Sequence, residues 1–103
     1  MLAISRFRVA PDRAVDFVQR ARAAAAFFAS RPGCVAADLL QNLDDPQLWT
    51  LTSRWADVGS YRRSFSGYDA KLVLVPLLSE AIDEPSAYAD PAEVGENLPR
   101  SLS

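Results

Sequence analysis

Histidine is absent from this sequence. That gap removes Ser-His-Asp and Cys-His nucleophile systems, histidine-based zinc sites and a histidine haem ligand. It also removes the side chain that most often acts as a general base near neutral pH. Catalysis by this chain must rest on carboxylates, arginine, tyrosine, tryptophan, backbone amides or the substrate's own acidity. Cysteine occurs once, as Cys34, so no disulfide can form within the chain, which fits a reducing compartment. No cationic or basic neighbour can be placed beside Cys34 to activate its thiol, so it is not read as a nucleophile. Long apolar runs are missing as well. The longest, "AAAAFFA" and "LVLVPLL", fall far short of the roughly 20 residues that span a bilayer. Arg6 and Arg8 interrupt the first apolar stretch, which speaks against a secretion signal. Positive charge is not in excess: 11 basic residues stand against 13 acidic ones, a net charge of −2. A phosphate-backbone binder needs a basic face, and the small clusters at Arg20, Arg22 and Arg31 and at Arg62 and Arg63 read as solvated helix faces. A cytoplasmic protein with no nucleic-acid or membrane partner is expected.

What is present suits one domain. The chain has 103 residues, half of them apolar. A chain of this size forms only a thin core. Residues 2–9, "LAISRFRV", alternate as a strand, with Ala3, Ser5, Phe7 and Val9 on one face. Asp12 is placed to cap a helix over 13–30, whose apolar stripe runs through Ala14, Phe17, Val18, Ala21, Ala25, Phe28 and Ala29. "SRPG" stops that helix. Residues 34–43 and 47–55 read as a hairpin around the turn "DDP", in which Asp44 and Asp45 are turn residues rather than a metal pair. Trp49, Leu51, Ser53 and Trp55 share one face of the later strand, and Trp49 reads as core.

Asp57 then caps a short helix to about residue 65, striped by Val58, Tyr61 and Phe65. After "SG", helical spacing resumes through Tyr68, Leu72, Val75, Leu78 and Ile82, with Pro76 expected to kink or split it. A weaker edge strand is placed at 84–90, where Pro85 removes a ladder donor. The order β-α-β-β-α-α-β is a ferredoxin-like, split βαβ α+β pattern with a four-stranded antiparallel sheet. The domain spans 1–89, and 90–103 form a polar, loose C-terminal tail. Helices cover one sheet face. The other face mixes Leu and Ala with polar residues and needs a lid.

The run "RPGCVAADLLQNLDDPQLWTLTSRWAD", the following "SYRRSF" and the later "LVPLLSEAIDEP" together resemble the antibiotic biosynthesis monooxygenase family, over roughly residues 2–89. The resemblance implies a dimeric α+β barrel, a homodimer in which two sheets close face to face, with a pocket in each subunit between sheet and helices. It also implies oxidation of phenolic aromatics or quinols by O2 with no metal, flavin or haem, the deprotonated substrate supplying electrons. Trp55 and Tyr61 match positions implicated in polyketide-oxidising members and are the candidate catalytic pair. An indole N–H and a phenol O–H can hold and polarise a substrate oxygen in an apolar cavity. Where those members carry asparagine, four residues before the tryptophan, this chain has Leu51, and their arginine and histidine have no counterpart. The lack of histidine argues against the haem-degrading branch.

Phe17, Phe65, Tyr68 and Leu72 are the candidate substrate-binding residues, excluding water around the polar pair. Arg54 lies on the strand face opposite Trp55, where an ion pair across a dimer interface suits it better than a phenolate anchor. Two other readings stand beside a cofactor-free monooxygenase. One is a non-catalytic dimer that binds a small ligand or serves a partner enzyme. The other is an isomerase or cyclase, which needs a carboxylate in the pocket, with Asp38 the strand residue to check.

Overall fold

Strand β1 (Leu2–Arg8) runs through the inside of the sheet in the computed structural model, which describes residues 1–97. It is followed by a 3-10 turn (Pro11–Arg13), α1 (Ala14–Ala29), β2 (Cys34–Gln41), β3 (Leu48–Trp55) and α2 (Val58–Arg63). The chain continues through α3 (Tyr68–Val73), α4 (Val75–Leu78), β4 (Ala87–Tyr88) and α5 (Pro91–Asn97). The strands form one antiparallel sheet in the order β2-β3-β1-β4. This is the ferredoxin-like α+β architecture that the residue pattern implies.

Register decides which side chains meet. Ala3 lies opposite Ser53, Ser5 opposite Leu51 and Phe7 opposite Trp49, and these six face the helices. The alternating set, Leu2 with Arg54, Ile4 with Thr52 and Arg6 with Thr50, faces outward. The core is built from Phe7, Leu51 and Trp55 of the sheet, Phe17, Ala21, Ala24 and Phe28 of α1, and Ala70, Leu74 and Leu77 from the C-terminal half. Ala21 and Ala24 are wholly buried, and such small side chains let helix and sheet backbones lie close.

Several local expectations need correction. Asp12 does not cap α1; it sits within the 3-10 turn, and the helix starts from Arg13 with no side-chain cap. Ala29 is exposed while Ala24 is buried, so the helix stripe is rotated slightly from the expected one. The expected strand 34–43 ends at Gln41, and a bulge between Cys34 and Ala36 leaves Val35 exposed.

The largest change is in α3 and α4. Tyr68, Leu72 and Val75 are 74%, 57% and 50% exposed, whereas Ala70, Leu74 and Leu77 face the core. Both sets have helical spacing, two residues apart in phase. Ala70 lets α3 approach α1, a contact that tyrosine at position 68 is too bulky to make from the same side. Pro76 lies in the first turn of α4, and the helix breaks at Leu74. Strand β4 is only two residues long, not 84–90. The first part of the tail is helical: Asp90 accepts from the Ala92 amide at 2.9 Å ahead of α5. Residues 98–103 of the expected tail lie outside the described residues.

Gly33 sets how α2 meets the sheet. Its φ of +87° is open to glycine at little cost, and a Cβ there would run into the Ser60 side chain. Its carbonyl accepts from Ala56 at 2.8 Å, and Asp57 then caps α2 by accepting from the Ser60 amide at 2.7 Å. Gly33→Ala is expected to destabilise the fold by about 1–3 kcal/mol, from left-handed strain and overlap together. The drop should be visible as a lower midpoint in urea. An unchanged midpoint would mean that α2 can shift without loss.

Candidate active site

Between two backbone hydrogen bonds, residues 82–86 run beside residues 4–6 of β1. Ile82 donates to the Arg6 carbonyl at 2.8 Å, and Ile4 donates to the Ser86 carbonyl at 2.7 Å. Five residues thus span the distance covered by three, and the surplus bows the segment off the sheet edge. Arg6 ties the bow back through a fork: Nε donates to Glu84 Oε2 and Nη2 to Glu84 Oε1, each at 2.7 Å. The Arg6 guanidinium holds the Glu84 carboxyl below its ordinary range, first through this hydrogen bonding and then through charge.

Beneath the bow lies a cleft of about 460 Å³, bounded by β1, α2 and the end of α4. Ile4, Phe65, Leu78, Ala81 and Ile82 form its apolar part. Ser5, Tyr61, Ser79, Asp83, Glu84 and Ser86 supply polar groups. Tyr61 projects from α2, and burial pushes its phenol above the ordinary value, partly offset by a hydrogen bond with the Ser86 side chain. A second, more apolar cleft of about 230 Å³ lies on the other side of Tyr61, between Met1, Val58, Tyr88 and Val94.

The structure brings Trp55 and Tyr61 together but does not give both to the cleft. Their ring centroids are 5.9 Å apart at 64°, an edge-on contact. Trp55 is only 2% exposed, and its indole Nε1 donates to Ser53 Oγ at 2.8 Å. The indole donor is thus used inside the core, and Trp55 supports Tyr61 from below. Phe65 is the one substrate-binding candidate that lines the same cleft. Phe17 is buried against Phe7 and Trp49, with centroids at 5.1 and 5.7 Å, and borders a small separate depression near Arg13 and Glu80. Tyr68 and Leu72 point to solvent and line none of these clefts, because the stripe they belong to is turned away from the core. Asp38 pairs with Thr52 on the outer sheet face, away from the cleft.

The residue reading missed Ser5, Asp83, Glu84 and Ser86. Ser5 carried a signal, being a polar side chain on the helix-facing side of a strand. "DEPS" at 83–86 reads as a turn, and nothing local shows that it forms a wall with Arg6, 78 positions away from Glu84. No group of metal-binding side chains is found among the described residues, and no described helix is long and apolar enough to cross a membrane.

The fold is a ferredoxin-like α+β one, with a cleft at the unpaired stretch of its β1 edge. The family model for antibiotic biosynthesis monooxygenase matches residues 1–70, and the chain belongs to that family. A variant of SnoaB, a cofactor-independent oxygenase from Streptomyces nogalater, is similar at 26% identity, with 79% of this chain and 82% of that chain covered and a TM-score of 0.67. A conserved protein from Methanosarcina mazei shares 23% identity over 84% of each chain, with a TM-score of 0.68. Rv0793 from Mycobacterium tuberculosis shares 19% identity over 84% of this chain and 86% of its own, with a TM-score of 0.66. The last two likenesses speak to fold alone. No curated protein matches the chain.

Two outcomes follow from this geometry. Ser53→Ala leaves the Trp55 N–H buried without a partner and is expected to cost about 1–3 kcal/mol in chemical denaturation. An unaltered denaturation curve would mean that the indole finds another acceptor. In an alkaline absorbance titration of the folded protein, one tyrosine should ionise after the others, and Tyr61→Phe should delete that late step. Because folding raises this pKa, the associated stability is complete below the ordinary value of 10.0 and is lost as pH rises through the folded value.

Proposed function

We propose that the protein is a cofactor-independent monooxygenase that oxidises a small aromatic phenol or quinol with O2. Membership of the family and a half-buried tyrosine lining a half-apolar cleft support this reading, and the position of Tyr61 carries it. The substrate ring lies against Phe65, Leu78 and Ile82, with its oxygen directed to the Tyr61 hydroxyl. Tyr61 donates to that oxygen as it becomes anionic. A donor aimed at developing charge in a site poor in water stabilises it more than bulk solvent does. The anionic ring then gives electrons to O2. The phenol hydrogen and the one hydrogen of a ring carbon are lost as that carbon gains one oxygen atom, and the second oxygen leaves as water, so no external reductant enters. Trp55 acts on this chemistry only through the ring of Tyr61.

Oxygen uptake with phenolic polyketides and small quinols tests the reading. Tyr61→Phe is expected to lower kcat/KM by about 10²-fold, the effect of removing one such donor. Trp55→Phe is expected to cost stability more than rate. Absence of uptake above background, or full uptake by Tyr61→Phe, would sink the proposal.

Asp83 favours a second reading, an isomerase or cyclase, because that chemistry needs a carboxylate at the cleft, and Asp83 rather than Asp38 lies there. Product formation under strictly anaerobic conditions would select it. Ligand-dependent melting shifts with neither uptake nor conversion would instead select a non-catalytic binding role.

The same proposal includes a homodimer closed through the outer sheet faces. Leu40 and Tyr88 on that face are 53% and 52% exposed, and Leu2 and Leu48 continue the apolar surface. Arg54 and Asp38 stand on it with opposite charge, and neither forms an ion pair inside the chain among the described residues. Sedimentation should show a dimer for the native chain and a monomer for Leu40→Glu. A native monomer at micromolar concentration would refute this part.

A further inference from the structure

The charges around the cleft do not suit every phenol. Both carboxylates on its wall sit in the bowed segment, and their situations differ. Glu84 is held in the fork of Arg6 and is neutralised there. Asp83 lines the cleft, is exposed, and takes part in no hydrogen bond or ion pair among the described residues. No lysine or arginine lines the cleft. Arg20 and Arg13 hold Glu80, and Arg62 borders the second cleft instead.

An uncompensated carboxylate at a cavity mouth repels an anion and attracts a cation. It also disfavours the phenolate that oxidation requires, unless its own charge is met. A substrate carrying a protonated amine meets it, leaving the Tyr61 end free to stabilise the new anion. We propose that the cleft selects aromatic substrates bearing a protonated amine, with Asp83 as the residue that determines this specificity. The inference rests on the cleft being the substrate site, and it names the substrate class.

Three small phenols of matched size separate the charges: tyramine, which is cationic, tyrosol, which is neutral, and 4-hydroxyphenylacetate, which is anionic. Their affinities for the full chain are measured by calorimetry or by NMR titration at low and high salt. Tyramine should bind about fivefold more tightly than tyrosol, the ratio that an exposed ion pair of roughly 1 kcal/mol produces. The anion should bind more weakly than either. Added salt should narrow the differences. Asp83→Asn should bring tyramine down to the affinity of tyrosol, while Asp69→Asn, on the exposed part of α3, should retain the preference.

Equal binding of tyramine and tyrosol to the native chain, or a preference that survives Asp83→Asn, overturns the inference while the cleft remains a phenol site. If none of the three binds, the cleft is not the substrate site and the inference falls with it. A charge preference lost in Asp83→Asn, without any oxygen uptake, supports the specificity while rejecting the oxidation reading.

Discussion

The indole nitrogen of Trp55 must find a partner once the ring is buried, and Ser53 supplies it from the same face of β3. That bond fixes the ring at the end of β3, and three other rings are arranged around it. Phe28 of α1 meets it edge-on at 5.6 Å and Tyr61 at 5.9 Å, while Phe65 meets both Tyr61 and Phe28. Such edge-to-face pairs add about 0.5–1.5 kcal/mol each beyond burial. The cluster joins the sheet, α1 and α2 at one point. The height of Tyr61 above the sheet, and with it one wall of the cleft, is therefore a property of the core.

The opposite wall is built on another principle. It is a length of backbone with more residues than the strand edge beside it can pair. Its ends are fastened by ladder-like bonds at Ile82 and Ser86, and its middle by the fork of Arg6. Arg6 belongs to the outer side of β1 by alternation, yet its long side chain reaches around the edge to Glu84. An aromatic wall and a tethered polar wall enclose a space lined by both apolar side chains and hydroxyls.

Much of this frame was legible in the residues. Alternation in β1 and β3 named Phe7, Leu51 and Trp55 as inward because a half-covered sheet imposes period two. Asp57 was legible as a cap, since the capping carboxylate and the amide it meets are only three positions apart. The phase of α3 and α4 was not. Tyr68, Leu72 and Val75 have the right spacing, and only the packing of Ala70 against α1 decides between the two stripes. Trp55 was placed correctly beside Tyr61, but its donor was assigned to a ligand because no rule of spacing shows that Ser53 takes it first. The cleft wall at 83–86 was hidden for a different reason. Its form follows from pairing across most of the chain, and "DEPS" carries no local trace of that.

Asp83, Glu84 and Pro85 lie between the two fastenings and contribute no rung to the sheet. Replacement of these three residues changes what the cavity offers without removing any strand pairing. The wall at 83–86 can therefore vary apart from the sheet while the Tyr61 wall is tied to the core, so change in descendants of this sequence falls unevenly on the two sides of the cavity.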